Sequence, residues 1–360
     1  MYTTSAACWP ALRDIRTGAS AVDVFGVQGN RFPAGPDTVG PEMQSEALVS
    51  EKTMILLANE EGRVGITAAV HALKSGWGCI AALETGIRLV EADPTVRSVG
   101  RGGWPNILGS VELDAAVMDG NTLRSGAVGA LSGYLHPVSV ARAVLETLPH
   151  EMLVGEGAAR FAQEIGAERD SNLTEASKCA WKKQIARFLK STNHLSIDEI
   201  PLADLSRRCM DPELVRDTTV FLGRDMNGGL ATATSTSGWA WKYPGRLGDS
   251  PIIGAGSYAD TQYGAAACTH TGEMAIRAGT SRSIVLYLKM GMSLDEAMSE
   301  AANDLGRLKG GQLGGLVLHG LDAHGSHRVV AVNCDDEIRY WVWTPDLTAP
   351  ELRVAHPVSC

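Results

Sequence analysis

What most limits the fold of this chain is a change of character at Thr218. From Glu168 to Arg216 the sequence is polar and charged, with one helical pattern around Thr174 to Leu189 and no strand-like run. On either side, short apolar runs of strand length alternate with segments of helical period. Strands and helices thus recur in both halves without a break into autonomous units, and the polar stretch reads as an exposed linker inside one fold. No internal repeat is visible.

Met54 to Ala58 is a continuous apolar run, the pattern of a strand buried on both faces. Two helical patterns follow, the second with Ile80, Leu83, Ile87 and Val90 at spacings of three and four. A Gly-rich turn at Gly100 to Asn106 precedes Val111 to Gly120, read as a half-buried strand running into a turn. Pro137 suits the first position of a helix carrying Val140, Ala141, Val144, Leu145 and Leu148, because its missing N–H would be unpaired there anyway. That helix should end near Pro149. After Thr218, Asn227-Gly228-Gly229 predicts a hairpin and Ser293 to Glu296 a capping box opening a helix. Closing strands are expected at Gly315 to Leu318, Val329 to Val332 and Tyr340 to Trp343. Residues 1 to 50 show no periodicity and read as an extension of unknown role.

The 360 residues, 44% of them hydrophobic, suffice for a sizeable core. With 32 basic against 41 acidic residues and a net charge of -9, the chain lacks the concentrated Lys and Arg that nucleic-acid and anionic-membrane binding rely on. A small-molecule or peptide-like substrate is expected instead. There is no apolar run of about eighteen residues, and the N-terminus has no basic region followed by an apolar core. The seven cysteines are scattered and form no Cys-x-x-Cys pair, so the expectation is a soluble cytoplasmic protein with free thiols.

The residues with chemical potential cluster after the polar stretch. Arg216-Asp217-Thr218-Thr219-Val220-Phe221-Leu222-Gly223 is followed, sixteen residues after Thr218, by Thr234-Ser235-Thr236-Ser237-Gly238. Gly245 to Pro251 and Gly254 to Asp260 come next, and Val111 to Gly120 and Leu153 to Ala158 lie upstream. In this order, over roughly residues 54 to 335, these runs closely resemble the glycosylasparaginase and plant-type asparaginase (isoaspartyl peptidase) family of N-terminal-nucleophile hydrolases. Asp before the nucleophilic Thr is similar to the glycosylasparaginase branch; the asparaginase branch usually has Gly there.

The resemblance implies an α+β fold of the four-layer αββα sandwich type, two stacked sheets between helices. It implies cleavage between Asp217 and Thr218, giving an α-chain of residues 51–217, with 168–217 as its exposed tail, and a β-chain of residues 218–360. The chemistry explains why cleavage would be activation. A threonine hydroxyl is a weak nucleophile that needs a base, and an α-amine, of pKa about 7.7–8.0, serves as one only when it is not an amide. By resemblance Thr218 Oγ first attacks the Asp217 carbonyl in an N-to-O acyl shift, and hydrolysis of the ester frees the new N-terminus. Backbone strain and the Asp217 carboxylate are the expected drivers.

Further roles are carried over by resemblance. Thr236 matches the second threonine that orients Thr218. Thr269 matches the oxyanion-hole threonine, with the His270 backbone N–H as the second donor. Arg246 and Asp249 match the pair that grips the α-carboxylate and α-ammonium of an aspartyl substrate. Taken alone, Thr234 to Thr236 is β-branched packing and Arg246 with Asp249 a surface ion pair. The implied reaction is hydrolysis of the side-chain amide of asparagine, or of a glycosylated or similarly N4-substituted asparagine, to aspartate. Isoaspartyl peptidase or L-asparaginase activity is the alternative. A homodimer of cleaved protomers is implied, with no cofactor and no metal.

Three positions depart from the family pattern. Val220 and His270 stand where the family has Gly, and His270 would be strained if that position needs φ above zero. Asn59-Glu60-Glu61-Gly62 replaces a stretch in which the glycosylasparaginase branch carries a pocket tryptophan. Asn59 and Glu60 are therefore candidate substrate-binding residues, Glu60 either selecting donor or cationic groups or lying in a solvated loop. These departures keep open a divergent, uncleaved member that binds without turnover. Gly254 to Ala259 satisfies a relaxed dinucleotide pattern without a strand-turn-helix unit around it, so no nucleotide cofactor is expected. His324 and His327, among Gly and Asp, suggest a hairpin turn and no metal site.

Overall fold

The structure, a computed structural model, describes residues 54–194, 196–210 and 218–360; Asp217 and the N-terminal extension lie outside the described residues. Strand β1 (Ile55–Asn59) is buried along its length, as its continuous apolar run predicts. After a 3-10 turn come α1 (Ile66–Lys74) and α2 (Cys79–Ala92), which buries Leu83, Ile87 and Val90. β2 (Leu113–Asp119) and β3 (Ser125–Leu131) form a hairpin, and α3 (Pro137–Thr147) starts on its proline and buries Val140, Ala141 and Val144. β4 (Met152–Val154) and α4 (Gly155–Glu164) follow. The polar stretch contains α5 (Glu175–Thr192), capped reciprocally by Thr174 and Ser177, and α6 (Leu202–Cys209).

Past Thr218, β5 (Thr219–Arg224) and β6 (Leu230–Thr236) make the hairpin expected at Asn227-Gly228-Gly229, and β7 (Ser257–Asp260) and β8 (Gly264–His270) a second one. Helices α7 (Gly272–Ala278), α8 (Thr280–Lys289) and α9 (Leu294–Gly306) come next, α9 opening with the Ser293 and Glu296 capping box. β9 (Leu316–Asp322), β10 (His327–Val332) and β11 (Arg339–Trp343) match the three expected closing strands, and β12 (Glu351–Val354) and β13 (His356–Val358) continue beyond them.

Among the described residues, eight strands form one sheet in the order β12-β11-β1-β5-β6-β2-β3-β4, and five form another, β13-β10-β9-β8-β7. Successive side chains of a strand point to opposite faces, and here both faces of the central strands are covered. Ala58, Val117 and Phe221 of the larger sheet pack with Leu83, Ile87 and Val144 of the helices. Ile55, Leu57, Val220 and Leu222, on the other face, share a cluster with Ala265, Ala267, Val317 and Val329 of the smaller sheet. Ala266, Leu318 and Val330, on the far face of the smaller sheet, pack with Ile284, Met298 and Leu305 of α8 and α9. The architecture is mixed α+β, with helices and multiple sheets, and is consistent with an N-terminal-nucleophile-hydrolase-like fold.

Two expectations need correction. β2 is buried on both faces rather than half-buried, and Asp114, the acid in its middle, is satisfied inside. Its two carboxylate oxygens accept the Ala130 N–H at 2.8 Å and the Gly248 N–H at 3.3 Å. The polar stretch is not simply exposed. Phe188, Leu205 and Cys209 of α5 and α6 cluster with Ile107, Ala240 and Trp241, and Trp181 Nε1 donates to the Ile107 carbonyl at 2.9 Å. Gly254 to Gly256 lies in a turn that enters β7, and residues 322 to 327 turn β9 back into β10.

Candidate active site

The hairpin of β5 and β6 sets the site. Its turn is fixed by Asp225 Oδ1, which accepts the N–H groups of Asn227 and Gly229, each at 2.9 Å. The register this imposes pairs Thr219 with Ser235 at the far end, so Thr218, one residue further, faces Thr236. Thr218 is buried. Its carbonyl accepts a hydrogen bond from Asn59 Nδ2 at 2.6 Å, and the Val220 N–H donates to Asn59 Oδ1 at 3.1 Å. The Asn59 carboxamide is thereby occupied in clamping the start of β5. Thr236 Oγ1 accepts the Gly238 N–H at 2.9 Å and donates to the Ser98 carbonyl at 3.4 Å.

Behind this strand pair sits a buried acid that the sequence reading missed. Glu91 accepts Ser235 Oγ at 2.7 Å and the Val138 N–H at 3.1 Å, and His136 Nδ1 lies 3.1 Å away. Burial pushes its carboxyl pKa up, with the His136 contact the main opposing influence. The loop after β6 is held by a second buried charge, Lys242, whose Nζ donates to the Glu112 carbonyl at 3.1 Å. Burial lowers its pKa, while Asp114 and Glu112 resist that shift.

Arg246 and Asp249 come to the same place. Arg246 Nη2 and Nε donate to Glu273 Oε1 at 2.7 and 3.1 Å, and the guanidinium lies over Trp239, 4.3 Å from the ring centroid. Glu273, also missed, stands four residues after Thr269, and nothing in the sequence marked it as the partner of Arg246. Asp249 is buried, and its Oδ2 has no hydrogen-bond partner. Burial raises its pKa to about 7; its own backbone N–H and Arg246 pull down, and Glu273 and Asp114 push up. Gly272 permits the approach, since a Cβ there would stand 2.3 Å from Asp249 Oδ1. Thr218, Thr236, Arg246, Asp249 and His270 all line one small pocket.

Thr269 lies on the other side of His270. With Asn59, Glu60, His319 and Arg339 it lines a second, small cavity, and His270 borders both. Thr269 Oγ1 is 3.1 Å from His270 Nδ1. His270 has φ of 86°, the backbone region in which glycine is at ease and histidine is strained. Glu60 is engaged by Arg339, whose Nη2 and Nε lie 2.6 and 3.3 Å from its carboxylate, so a cation of the protein itself already meets that charge. Asn59 and Glu60 are thus apart from the pocket that holds Arg246 and Asp249. Among the described residues, no group of three or more His, Cys, Asp or Glu side chains is placed to hold a metal ion. Among them, too, no helix is long and apolar enough to cross a membrane.

A family model described as asparaginase matches residues 57–349. The N(4)-(beta-N-acetylglucosaminyl)-L-asparaginase of Elizabethkingia miricola is 38% identical over 257 residues, 71% of this chain and 70% of that protein. The isoaspartyl peptidase of Escherichia coli K12 is 36% identical over 272 residues, 75% of this chain and 80% of that protein. A plant-type L-asparaginase of Pyrococcus abyssi is 36% identical over 247 residues, covering 68% of this chain and 76% of that protein.

Proposed function

The chain belongs to the asparaginase family of amidohydrolases, and from that membership we propose that it is a self-cleaving enzyme whose nucleophile is Thr218. Its substrate in this reading is the side-chain amide of asparagine or of an N4-substituted asparagine, and its product aspartate. One observation carries the reading: Thr218, at the head of a central strand and facing Thr236, opens on the same pocket as Arg246 and Asp249. A nucleophile and a zwitterion grip within one small pocket suit an amino-acid amide.

In this reading the bond from Asp217 to Thr218 breaks first, dividing the chain up to residue 217, hydrolase α-chain residues 51–217 included, from residues 218–360 and freeing the Thr218 α-amine. The amine takes the Thr218 hydroxyl proton as Oγ attacks the amide carbon. Thr236 orients the hydroxyl, and Thr269 Oγ with the His270 N–H stabilises the oxyanion. The C–N bond then breaks, the amine departs with the proton held by the α-ammonium, and water hydrolyses the threonyl ester to release aspartate. Arg246 takes the substrate α-carboxylate in partial exchange for Glu273, and Asp249 takes the α-ammonium. The two sheets between helix layers support the four-layer αββα assignment. A cytoplasmic setting accords with the free thiols of Cys79, Cys209 and Cys268, and a homodimer of cleaved protomers completes the proposal.

Isoaspartyl peptidase activity is the second reading, favoured by the similarity to the Escherichia coli peptidase. The deciding experiment starts with the intact mass of fresh and incubated wild type beside Thr218→Ala, with N-terminal sequencing of any fragment. We expect fragments beginning at Met1 and Thr218 in the wild type only, and aspartate release from asparagine amides by the matured protein. A wild-type chain that stays whole and releases no aspartate would make it a divergent binding protein instead.

A further inference from the structure

Lys242 carries an ammonium into the interior. It is fully buried, its Nζ donates to the Glu112 carbonyl at 3.1 Å, and among the described residues no carboxylate stands at ion-pair distance from it. Taking a charge out of water without an opposite partner is costly. The backbone that sends it inward is strained as well. Trp239 to Lys242 is a turn closed by the Lys242 N–H on the Trp239 carbonyl at 3.3 Å, and Trp241, its third residue, has φ of 63°, where glycine or asparagine is usual. Strain of this kind gathers at functional sites, and Lys242 stands beside Arg246.

The geometry points to Lys242 as a positioning residue for Arg246, a second cation behind the pocket wall that keeps the guanidinium in place and strengthens the positive potential an α-carboxylate meets there. The inference rests on the amidohydrolase reading above for the identity of that carboxylate. Gly238 lines the pocket with Arg246, and a Cβ on it would stand 3.2 Å from both Lys242 Nζ and Arg246 Nη1. The two nitrogens are therefore no further apart than twice that distance. Like charges at this range repel, which favours the arrangement seen, with Arg246 drawn to Glu273 and stacked on Trp239.

One residue holds both ends of the loop between the two cations. Glu112 gives its carbonyl to Lys242, and its two carboxylate oxygens accept the Gly245 N–H at 3.2 and 3.1 Å. Asp114, two residues on, takes the Gly248 N–H beside Asp249. The carboxylates of Glu112 and Asp114 also favour the charged form of Lys242 against its burial. Being fully buried, Lys242 acts through Arg246 and through its field, not by touching a ligand. A carboxylate that reaches Arg246 in place of Glu273 comes under both cations, whereas a ligand without one gains nothing from Lys242.

The test titrates the matured full chain, followed by NMR, with L-aspartate, the expected product, and with β-alanine, the same molecule without its α-carboxylate. Lys242→Met and Lys242→Gln both remove the charge, and the second keeps a donor for the Glu112 carbonyl. We expect each to weaken L-aspartate by about tenfold or more and to leave β-alanine within about twofold. KM for asparagine should rise with kcat little changed. Both variants should still mature, as read by intact mass, because no α-carboxylate takes part in that step, and Lys242→Met should be no less stable in urea than the wild type. Equal losses for the two ligands, an unchanged affinity for L-aspartate, or failure to mature overturns the assignment and leaves Lys242 a prop of the loop. If one variant does not fold, the other decides. If the wild type binds neither ligand and releases no aspartate from asparagine, the amidohydrolase reading fails, and a crystal structure of Lys242→Met decides the positioning. Arg246 displaced from Trp239 upholds it; Arg246 in place overturns it.

Discussion

Asp249 is buried with one carboxylate oxygen unpartnered, and its pKa stands at about 7, chiefly through burial. In the unfolded chain an aspartate titrates near 3.9. Below about pH 4 the group is protonated in both states and has no effect on stability. Between about pH 4 and 7 the unfolded chain gives up a proton that the folded chain keeps, so the native state loses stability as pH rises, and the loss is constant above 7. At about 1.4 kcal/mol for each tenfold in proton affinity, the loss reaches at most about 4 kcal/mol. Asp249→Asn should therefore match the wild type in urea denaturation at pH 4 and exceed it by up to that amount at pH 8. The same difference at both pH values would mean that Asp249 ionises normally in the fold. Arg246 and Asp249 were legible because they stand in a recognisable run; Glu273, which holds Arg246, was not, since its contact depends on how α7 meets the loop after β6. The φ of 86° at His270 was legible in the other direction, from a histidine standing where the family has glycine.

At the scale of elements, the Glu91 side chain ties α2 to the start of α3 and to β6, the strand that carries Thr236. Replacing it with an apolar residue leaves Ser235 Oγ, the Val138 N–H and His136 without their acceptor inside the protein. Glu91→Leu should cost about 3 kcal/mol or more in urea denaturation, whereas Glu91→Gln keeps an acceptor and should cost less. Equal losses would mean that the side chain acts by volume alone. None of this was legible, because Glu91 sits at the end of an amphipathic helix where a charged residue normally meets water. Elements with local signals were legible: the apolar run of β1, the period of α2, Pro137 at the head of α3, the glycines between β5 and β6, and the capping box of α9. β4 and β12 were not, being short and largely exposed, with no apolar alternation to betray them. β2 was misread because Asp114 finds its partners on the Ala130 and Gly248 amides, which only the fold brings near.

For the whole molecule, the order of the larger sheet has a consequence for the proposed cleavage. β1, β2, β3 and β4 precede Thr218, and β5, β6, β11 and β12 follow it, yet the sheet runs β12-β11-β1-β5-β6-β2-β3-β4. β1 lies between β11 and β5, and β6 pairs with β2 from Asp114 opposite Thr236 to Asp119 opposite Ala231. A cut before Thr218 therefore divides the covalent chain but neither the sheet nor the clusters on its two faces, in which Leu57 packs with Leu222 and Leu83 with Phe221. Separating the pieces would expose those faces and break three ladders of backbone hydrogen bonds at once, β11 with β1, β1 with β5 and β6 with β2. The fragments should stay together after maturation: two masses under denaturing conditions, but one species of their summed mass, or a multiple of it, in native mass spectrometry. They should part only across the same urea range in which the sheet signal is lost. Dissociation at lower urea, with the sheet signal intact, would mean that one fragment folds without the other, which a sheet interleaved in this way does not allow.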